Sequence, residues 1–207
     1  MQRKMSDSYM EHTKDNPVQI YCVEKSTREI HINLNTEITE PYQYGDLNQN
    51  LRSLSGEDVV YLHINSPGGR LDSTLELIHN IQQCKAEVVG CLGAEANSAG
   101  GMIFLVCDSW EIHDLSTMMV HIASGGATGT LPNMVNSTDH LRELSARVFE
   151  KFYKGFLSDE EIEDFMKGKP DMYLFAEEIA ERLQYLQEHR IELIERAQEE
   201  FENADDE

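Results

Sequence analysis

The stretch GAEANSAGGM, at residues 93–102, decides how the fold of this 207-residue sequence is predicted. It sets one hydroxyl, that of Ser98, among Ala, Asn and Gly, between apolar runs at residues 88–92 and 102–106. A strand that enters a tight turn of small residues and then a helix exposes the turn side chain. It also places the next backbone N–H, that of Ala99, at the helix N-terminus. The pattern is typical of a nucleophilic serine, and its plain alternative is a small residue that lets strand and helix touch.

The segments before this turn alternate between strand and helix patterns. Residues 59–64 (VVYLHI) predict a strand that ends at the turn Asn-Ser-Pro-Gly-Gly, and residues 86–93 (AEVVGCLG) predict a buried strand. Between them, residues 71–84 show helical spacing. The apolar positions on one face of that helix are Leu71, Leu75, Ile78 and Ile81. Residues 109–123 hold two further strand-like pieces, and runs at residues 18–25 and 29–35 alternate as exposed strands do.

Strands that alternate with helices and end at Gly-rich turns predict an α/β fold with a mostly parallel core. Such folds carry their sites at the carboxyl ends of the strands. The turns at residues 66–69 and 96–101 each follow a strand. We therefore expect both turns to open onto one crevice.

The second half of the chain is mostly helical. Helices are predicted at residues 133–156, at 159–166 and, as one long helix with an acidic tail, at 176–207. The long helix carries an apolar stripe that suits packing against another helix of the same or another subunit. The stripe comprises Ile179, Leu183, Leu186, Leu193, Ala197 and Phe201, with Arg190 in the place of one further member. The acidic end is expected to be a solvated tail, with a partner-binding tail as the alternative.

The composition excludes several classes of function. A net charge of −21 argues against binding nucleic acid phosphates or anionic lipid. The four cysteines, Cys22, Cys84, Cys91 and Cys107, show no C-x-x-C spacing and predict buried thiols in a reducing compartment. No apolar run approaches the ~20 residues that span a bilayer. Residues 1–17 are expected to be a flexible segment, without the apolar centre of a secretory signal. We expect a cytoplasmic protein.

A histidine lies in a position that suits a base for Ser98. His121 ends the strand-like run STMMVH and meets another Gly-rich turn, so it is expected in the same crevice. A lone histidine on a strand is more often a structural residue than a base. A carboxylate that orients the imidazole would complete the set, but any of the 38 Asp and Glu residues is a candidate.

Three motifs in order resemble the proteolytic subunit of the Clp protease (ClpP). They are YLHINSPGG, GAEANSAGGMIFLV and MMVHIASGGATG, and the resemblance runs from about residue 18 to residue 180. The family places its acid in a segment that KPDMYLFAEEIA resembles, which puts the acid at Asp171. The resemblance is to a divergent, phage-type member. It implies a ClpP/crotonase-like fold, with a peptidase domain at residues 18–175 and a helical handle at 133–156.

The resemblance also implies the roles of the site residues. Ser98, His121 and Asp171 would form a catalytic triad, and the backbone N–H groups of Gly68 and Ala99 would form the oxyanion hole. The segment Ser124, Gly125, Gly126 and Ala127 would pair with substrate. The family assembles into stacked rings fed by an AAA+ unfoldase, so a homo-oligomer, an unfoldase or other Clp-type subunit, and unfolded polypeptides are the expected partners. No phosphate-binding motif occurs, so ATP would belong to the unfoldase, and no cofactor or metal is expected.

The family's usual YGLID turn after the acid is replaced here by the helical run ERLQYLQEHRIE. This departure puts the unfoldase partner in question more than the chemistry.

Three other interpretations of the function remain open. A signal-peptide-peptidase-like enzyme would use a Ser–Lys dyad, but Lys151, Lys154, Lys167 and Lys169 lie in polar helices. A crotonase-type acyl-CoA enzyme would not need Ser98 beside His121. A catalytically silent ring subunit would keep the fold without the activity.

Overall fold

The computed structural model describes residues 27–205. The flexible segment expected at residues 1–17, the strand predicted at 18–25 and Cys22 lie outside the described residues. The described part is built on a six-stranded sheet with six α-helices. The strands are β1 Glu29–Leu34, β2 Val59–Ser66, β3 Glu87–Asn97, β4 Ser109–Ile112, β5 Thr117–Val120 and β6 Met172–Phe175. The α-helices are α1 Gly45–Ser53, α2 Leu71–Gln83, α3 Ala99–Leu105, α4 Leu131–Val148, α5 Asp159–Met166 and α6 Ala176–Asp205.

The sheet order explains how distant segments reach one edge. The strands run β1–β2–β3–β5–β6, and β4 also pairs with β3. All pairings are parallel except the antiparallel pair β5–β6. This confirms an α/β fold with a mostly parallel core.

Strand β3 is the longest and has two different neighbours on one side. Its first half pairs with β4, from Val89 to Leu92, and its second half pairs with β5, from Glu95 to Asn97. On its other side β3 pairs with β2, as far as Ser66 opposite Ala96. The carboxyl ends of β2, β3 and β5 therefore meet at one place, as the Gly-rich turns predict.

The core lies between this sheet and the helices α2 and α3. Buried apolar side chains of β2 and β3, with Val60, Ile64, Val88 and Leu92 at 0% exposure, pack against them. The helix predicted from residue 71 is confirmed, but its buried line runs through Leu77 as well as Ile78 and Ile81. Leu71 and Leu75 pack against the rim of the core and are only partly buried.

The helices of the second half begin and end close to their predicted positions. The helix predicted at residues 133–156 is observed as α4, with Pro132 in its first turn, followed by a π-helical segment, Phe149–Tyr153. Helix α5 begins at a capping box in which Ser158 and Glu161 bond each other's backbone N–H groups. No helix within residues 27–205 is long and apolar enough to cross a membrane.

Helix α6 has 30 residues, and only its first half packs on the rest of the chain. Ile179, Leu183 and Leu186 are buried in the core, whereas every residue from 191 to 203 is exposed. The sequence predicted one continuous packing stripe. The structure divides it at Arg190, which still contacts the segment at the end of α3, whereas the residues after it are exposed.

Candidate active site

Ser98 lies at the sharp turn between β3 and α3. Among residues 27–205 it is the one non-glycine residue with a positive φ, at φ 53° and ψ −118°. Its N–H donates to the Met119 carbonyl of β5 at 2.7 Å, which ties the turn to the neighbouring strand. A side chain held in such a backbone conformation is strained, and strain of this kind is concentrated at functional sites. The turn has the strand–turn–helix geometry of a nucleophile elbow.

A glycine allows the helix after this turn to sit directly on β2. A Cβ placed on Gly100 would lie 3.2 Å from both the Cβ and the carbonyl oxygen of Ser66. Contacts that short are tighter than the ordinary packing distance of carbon atoms. The small residues of the GAEANSAGGM stretch therefore agree with both interpretations of the sequence. They expose Ser98, as a nucleophile requires, and they also let strand and helix touch.

His121 contacts Ser98 directly. Its Nε2 atom lies 2.7 Å from Ser98 Oγ, and the imidazole is half-buried. His121 follows β5 immediately, and β5 pairs with the end of β3, so the sheet brings the two residues together across 23 positions of sequence. A serine hydroxyl in hydrogen-bond contact with an imidazole is the arrangement that activates a nucleophile.

Asp171 lies next to His121 along the sheet but does not bond to it. Strand β6 runs antiparallel to β5 and pairs Met172 with Val120, so Asp171 and His121 follow as the next opposing positions. The Asp171 side chain is exposed, and within residues 27–205 no hydrogen bond or ion pair joins it to His121. The structure brings two members of the predicted set into contact and places the third beside them.

The two backbone N–H groups expected to form the oxyanion hole, those of Gly68 and Ala99, differ in their hydrogen bonding. Gly68 has φ +100°, and a Cβ there would lie 2.8 Å from Ser98 Cβ and 3.2 Å from the Ala99 nitrogen. The Gly68 turn therefore touches the elbow. The Gly68 N–H, however, donates to Ser66 Oγ at 3.2 Å, and the Ser66 hydroxyl in turn donates to the Thr36 carbonyl at 2.7 Å. Ala99 is the first residue of α3, where backbone N–H groups have no partner within the helix.

The segment expected to bind substrate follows His121. Ser124, Gly125 and Gly126 are exposed and Ala127 is half-buried, and all four lie outside the described strands. Gly125 packs beside Leu141 of α4. The segment therefore runs between the Ser98–His121 pair and the predicted handle, and its main chain is not part of any strand within residues 27–205.

Tyr153 is a neighbour of Ser98 that no motif of the sequence indicates. It ends the π-helical segment, is 2% exposed, and its hydroxyl donates to the Ser98 carbonyl at 3.5 Å. Burial raises the pKa of the phenol, which keeps it neutral. The sequence signal was an aromatic cluster, Phe149, Phe152 and Tyr153, inside an otherwise polar helix. Nothing local showed that it reaches a residue 55 positions away.

The lysines considered for a Ser–Lys dyad have other neighbours. Lys154 pairs with Glu150 at 2.6 Å, Lys167 with Glu163 at 2.7 Å and Lys169 with Asp164 at 3.7 Å. Lys151 lies 5.9 Å from the ring centre of Phe152. The base nearest to Ser98 Oγ is therefore an imidazole.

Comparison with protein families agrees with this geometry. The model of the Clp protease family matches residues 11–182, most of the chain, from before β1 into the first turns of α6. The match includes Ser98, His121 and Asp171 and ends shortly before the exposed half of α6. The chain therefore belongs to the Clp protease family.

Proposed function

We propose that this chain is a serine endopeptidase subunit that cleaves unfolded polypeptides with a Ser98–His121–Asp171 triad. The observation that carries the proposal is the 2.7 Å contact between His121 Nε2 and Ser98 Oγ on a strained elbow. Membership of the Clp protease family supports a peptidase of the serine class. The proposed fold is the ClpP/crotonase-like one, with α4 as the handle.

The reaction begins at the Ser98–His121 contact. Ser98 Oγ attacks the carbonyl carbon of the scissile peptide bond while His121 Nε2 takes the hydroxyl proton. The C–N bond then breaks as His121 returns that proton to the leaving amine, and the acyl group stays on Ser98. A water molecule, deprotonated by His121, then attacks the acyl carbon. The ester bond to Ser98 Oγ breaks as His121 returns the proton to Oγ, which releases the new carboxyl terminus and restores Ser98.

Asp171 orients the imidazole in this proposal. Asp171 precedes β6 at the position opposite His121, beyond the last pair Val120 and Met172, which makes it the cross-strand neighbour of the imidazole. Its carboxylate would then hold the tautomer in which Nε2 accepts the serine proton, and would stabilise the imidazolium that forms.

The oxyanion hole is formed by the N–H groups of Ala99 and Gly68. Ala99 donates from the start of α3. Gly68 has to release or share its bond to Ser66 Oγ, which at 3.2 Å is longer than the ideal N–H···O distance. A charged oxyanion is the stronger acceptor, so the developing negative charge itself favours this exchange.

Substrate binding and assembly complete the proposal. An unfolded polypeptide would lie beside residues Ser124 to Ala127 as an added strand, which uses main-chain hydrogen bonds and tolerates many side chains. The chain would act as a cytoplasmic homo-oligomer of stacked rings that meet through α4. An AAA+ unfoldase or another Clp-type subunit would supply substrate and hydrolyse ATP.

A second candidate function has specific support. Asp171 makes no bond to His121, and the Gly68 N–H is engaged by Ser66. A catalytically silent ring subunit would show both features permanently, whereas an active one would lose them when substrate or a partner binds.

Fluorophosphonate labelling of the assembled protein distinguishes the two functions. Labelling is read by intact mass and peptide mapping, alongside hydrolysis of a quenched, unfolded protein substrate. We expect labelling at Ser98 alone, its loss in Ser98→Ala and His121→Ala, and normal labelling in the control Ser53→Ala. Asp171→Asn should slow hydrolysis by about 10³-fold or more, by analogy with known triads. Absence of labelling in a well-formed ring would favour the silent subunit, and full activity of Asp171→Asn would reject the triad.

A further inference from the structure

Ser66 carries a fully buried hydroxyl that the proposed reaction gives no role of its own. It is the last residue of β2 and is 0% exposed. Its Oγ donates to the Thr36 carbonyl at 2.7 Å and accepts the Gly68 N–H at 3.2 Å. The side chain therefore joins the segment that follows β1 to one of the two proposed oxyanion donors.

The two hydrogen bonds of Ser66 differ in strength. The bond to Thr36 has the usual O–H···O length, whereas the bond from Gly68 lies at the long end of the N–H···O range. Because the hydroxyl proton is used on Thr36, Oγ acts only as an acceptor toward Gly68. The longer bond is the one that a stronger acceptor would displace.

The Gly68 turn is held in place by main-chain bonds on its other side. The Gly68 carbonyl accepts the Ile38 N–H at 2.7 Å, and the Ile38 carbonyl accepts the Arg70 N–H at 2.8 Å. The two segments lie so close that a Cβ on Gly69 would overlap the Ile38 carbonyl. These bonds position the turn, which leaves the bond to Ser66 to direct the Gly68 N–H.

The Gly68 turn and Ser66 both lie against the Ser98 elbow. A Cβ on Gly68 would be 2.8 Å from Ser98 Cβ and 3.2 Å from the Ala99 nitrogen. A Cβ on Gly100 would be 3.6 Å from Ser66 Oγ, so this hydroxyl lies beside the first turn of α3. An oxygen that becomes charged at Ser98 would therefore compete with Ser66 Oγ for the Gly68 N–H.

We propose that Ser66 is a positioning residue that holds the oxyanion hole in a resting state. Its Oγ engages the Gly68 N–H in the free enzyme. The charged oxygen that forms during attack by Ser98 takes this N–H over, because a charged acceptor makes the stronger bond. The Ser66 hydroxyl keeps its bond to Thr36 throughout. This inference rests on the proposed function, since it gives Gly68 the role of an oxyanion donor.

Ser66→Ala tests the proposal through the rate of fluorophosphonate labelling at Ser98. The variant removes the competing acceptor from the free enzyme, whereas the Gly68 N–H can still bind the developing charge. We expect labelling about three- to tenfold faster than in the wild type, the effect of one ordinary hydrogen bond lost from the ground state alone. The gain should appear in the maximal rate constant of labelling and not in the affinity for the reagent, because the charge develops only during the attack.

Ser73→Ala is the matched control. Ser73 is also 0% exposed, and its hydroxyl donates to the Thr39 carbonyl of the same segment after β1. Both variants should lower the Tm, because each removes a buried hydrogen bond. Only Ser66→Ala should label faster than the wild type. Labelling of Ser66→Ala at the wild-type rate or below it would overturn the proposal.

A crystal structure of the labelled wild type gives a second measure that does not depend on rates. A phosphonyl oxygen of the adduct stands in for the oxyanion, and we expect the Gly68 nitrogen closer to it, at about 3 Å, than to Ser66 Oγ. A Gly68 N–H that stays on Ser66 would overturn this inference and leave Ser98 as the nucleophile. Absence of label from both the wild type and Ser66→Ala would instead reject the proposed function, and this inference with it.

Discussion

At the scale of single residues, the backbone of Ser98 is the feature on which the proposed chemistry depends. A φ of 53° is unfavourable for a residue with a Cβ, by about 1–3 kcal/mol. The Ser98 N–H bond to Met119, and the Tyr153 hydroxyl on the Ser98 carbonyl, hold the residue in that conformation. The strained turn directs Ser98 Oγ toward His121. A serine with ordinary backbone angles at the N-terminus of a helix would not point its hydroxyl in the same direction.

The conformation of Gly68 provides a test of this local geometry. Gly68→Ala would place a methyl group 2.8 Å from Ser98 Cβ and from the Asn97 carbonyl, at a φ of +100° that disfavours alanine. We expect the rate of fluorophosphonate labelling at Ser98 to fall about 100-fold, because both the elbow and a proposed oxyanion donor would move. Gly45→Ala, whose added Cβ would meet nothing within 4 Å, is the matched control and should label at the normal rate. A normal rate in Gly68→Ala would mean that the turn has no part in the site.

At the scale of elements, Arg190 explains an irregularity in the sequence of α6. A charged residue interrupts an apolar seam, and the structure shows that its guanidinium makes hydrogen bonds and an aromatic contact. The guanidinium donates to the carbonyl of Leu105, the last residue of α3, and to that of Cys107 just after it, and it lies over the ring of Trp110. Burial lowers the pKa of Arg190, but arginine stays charged at any ordinary pH.

Loss of this cap should destabilise the fold. Arg190→Met keeps much of the apolar stem but leaves the Leu105 and Cys107 carbonyls without their donor. We expect a loss of about 1–3 kcal/mol in the free energy of unfolding, measured by urea denaturation. Arg196→Met, in the exposed second half of α6, should change stability by less than about 0.5 kcal/mol. Equal effects of the two substitutions would show that the contact to α3 contributes nothing.

The stability that the ion pair between α5 and α6 contributes should depend on pH. Arg182 donates to both oxygens of Glu161 at 2.8 Å, and these bonds, with the N–H of Ser158, lower the pKa of Glu161 to about 2. Unfolded glutamate has a pKa of about 4.3, so the contribution is fully present above pH ~4.5 and is lost as the pH falls toward 2. Glu161→Gln should therefore lower the free energy of unfolding by about 2 kcal/mol at neutral pH.

The pH dependence of that difference is the decisive observation. The gap in stability between the wild type and Glu161→Gln should narrow as the pH falls from about 5 to about 2.5. The neighbouring Glu160 is exposed, so Glu160→Gln should show no comparable gap at any pH. A difference in the free energy of unfolding that stays constant with pH would mean that the Glu161 carboxylate does not stabilise the contact between α5 and α6.

At the scale of the whole molecule, the net charge of −21 opposes compaction. Salt screens repulsion between exposed carboxylates, with a Debye length that falls from about 10 Å at 0.1 M to about 3 Å at 1 M. We expect the Tm to rise by about 3–8 °C between about 20 mM and 0.5 M sodium chloride, measured by scanning calorimetry. The same experiment at about pH 4.5, where many carboxyls are neutral, should show a smaller rise. A fall in Tm with salt would show that ion pairs such as Arg28–Asp58 outweigh the repulsion.

The sequence by itself determined the features that depend on short-range conformation and period. The turn of small residues around Ser98, the Gly-rich turn after β2 and the long apolar stripe of α6 could all be predicted, because φ preferences and side-chain spacing are local properties. The α/β class followed from the same patterns. The identity of the acid did not, since any of 38 carboxylates was compatible, and only the family motif selected Asp171.

Only the tertiary structure decided which of these features meet. The order of the sheet, with β5 beside the end of β3, brings His121 to Ser98, and no local pattern encodes that pairing. The exposure of Asp171, the bond from the Gly68 N–H to Ser66 Oγ and the contact of the Tyr153 hydroxyl with the Ser98 carbonyl depend on how distant segments pack. The body of the protein likewise ends at Arg190, so one half of a continuous stripe is buried and the other is exposed. Long-range packing, which sums over the whole chain, made these choices.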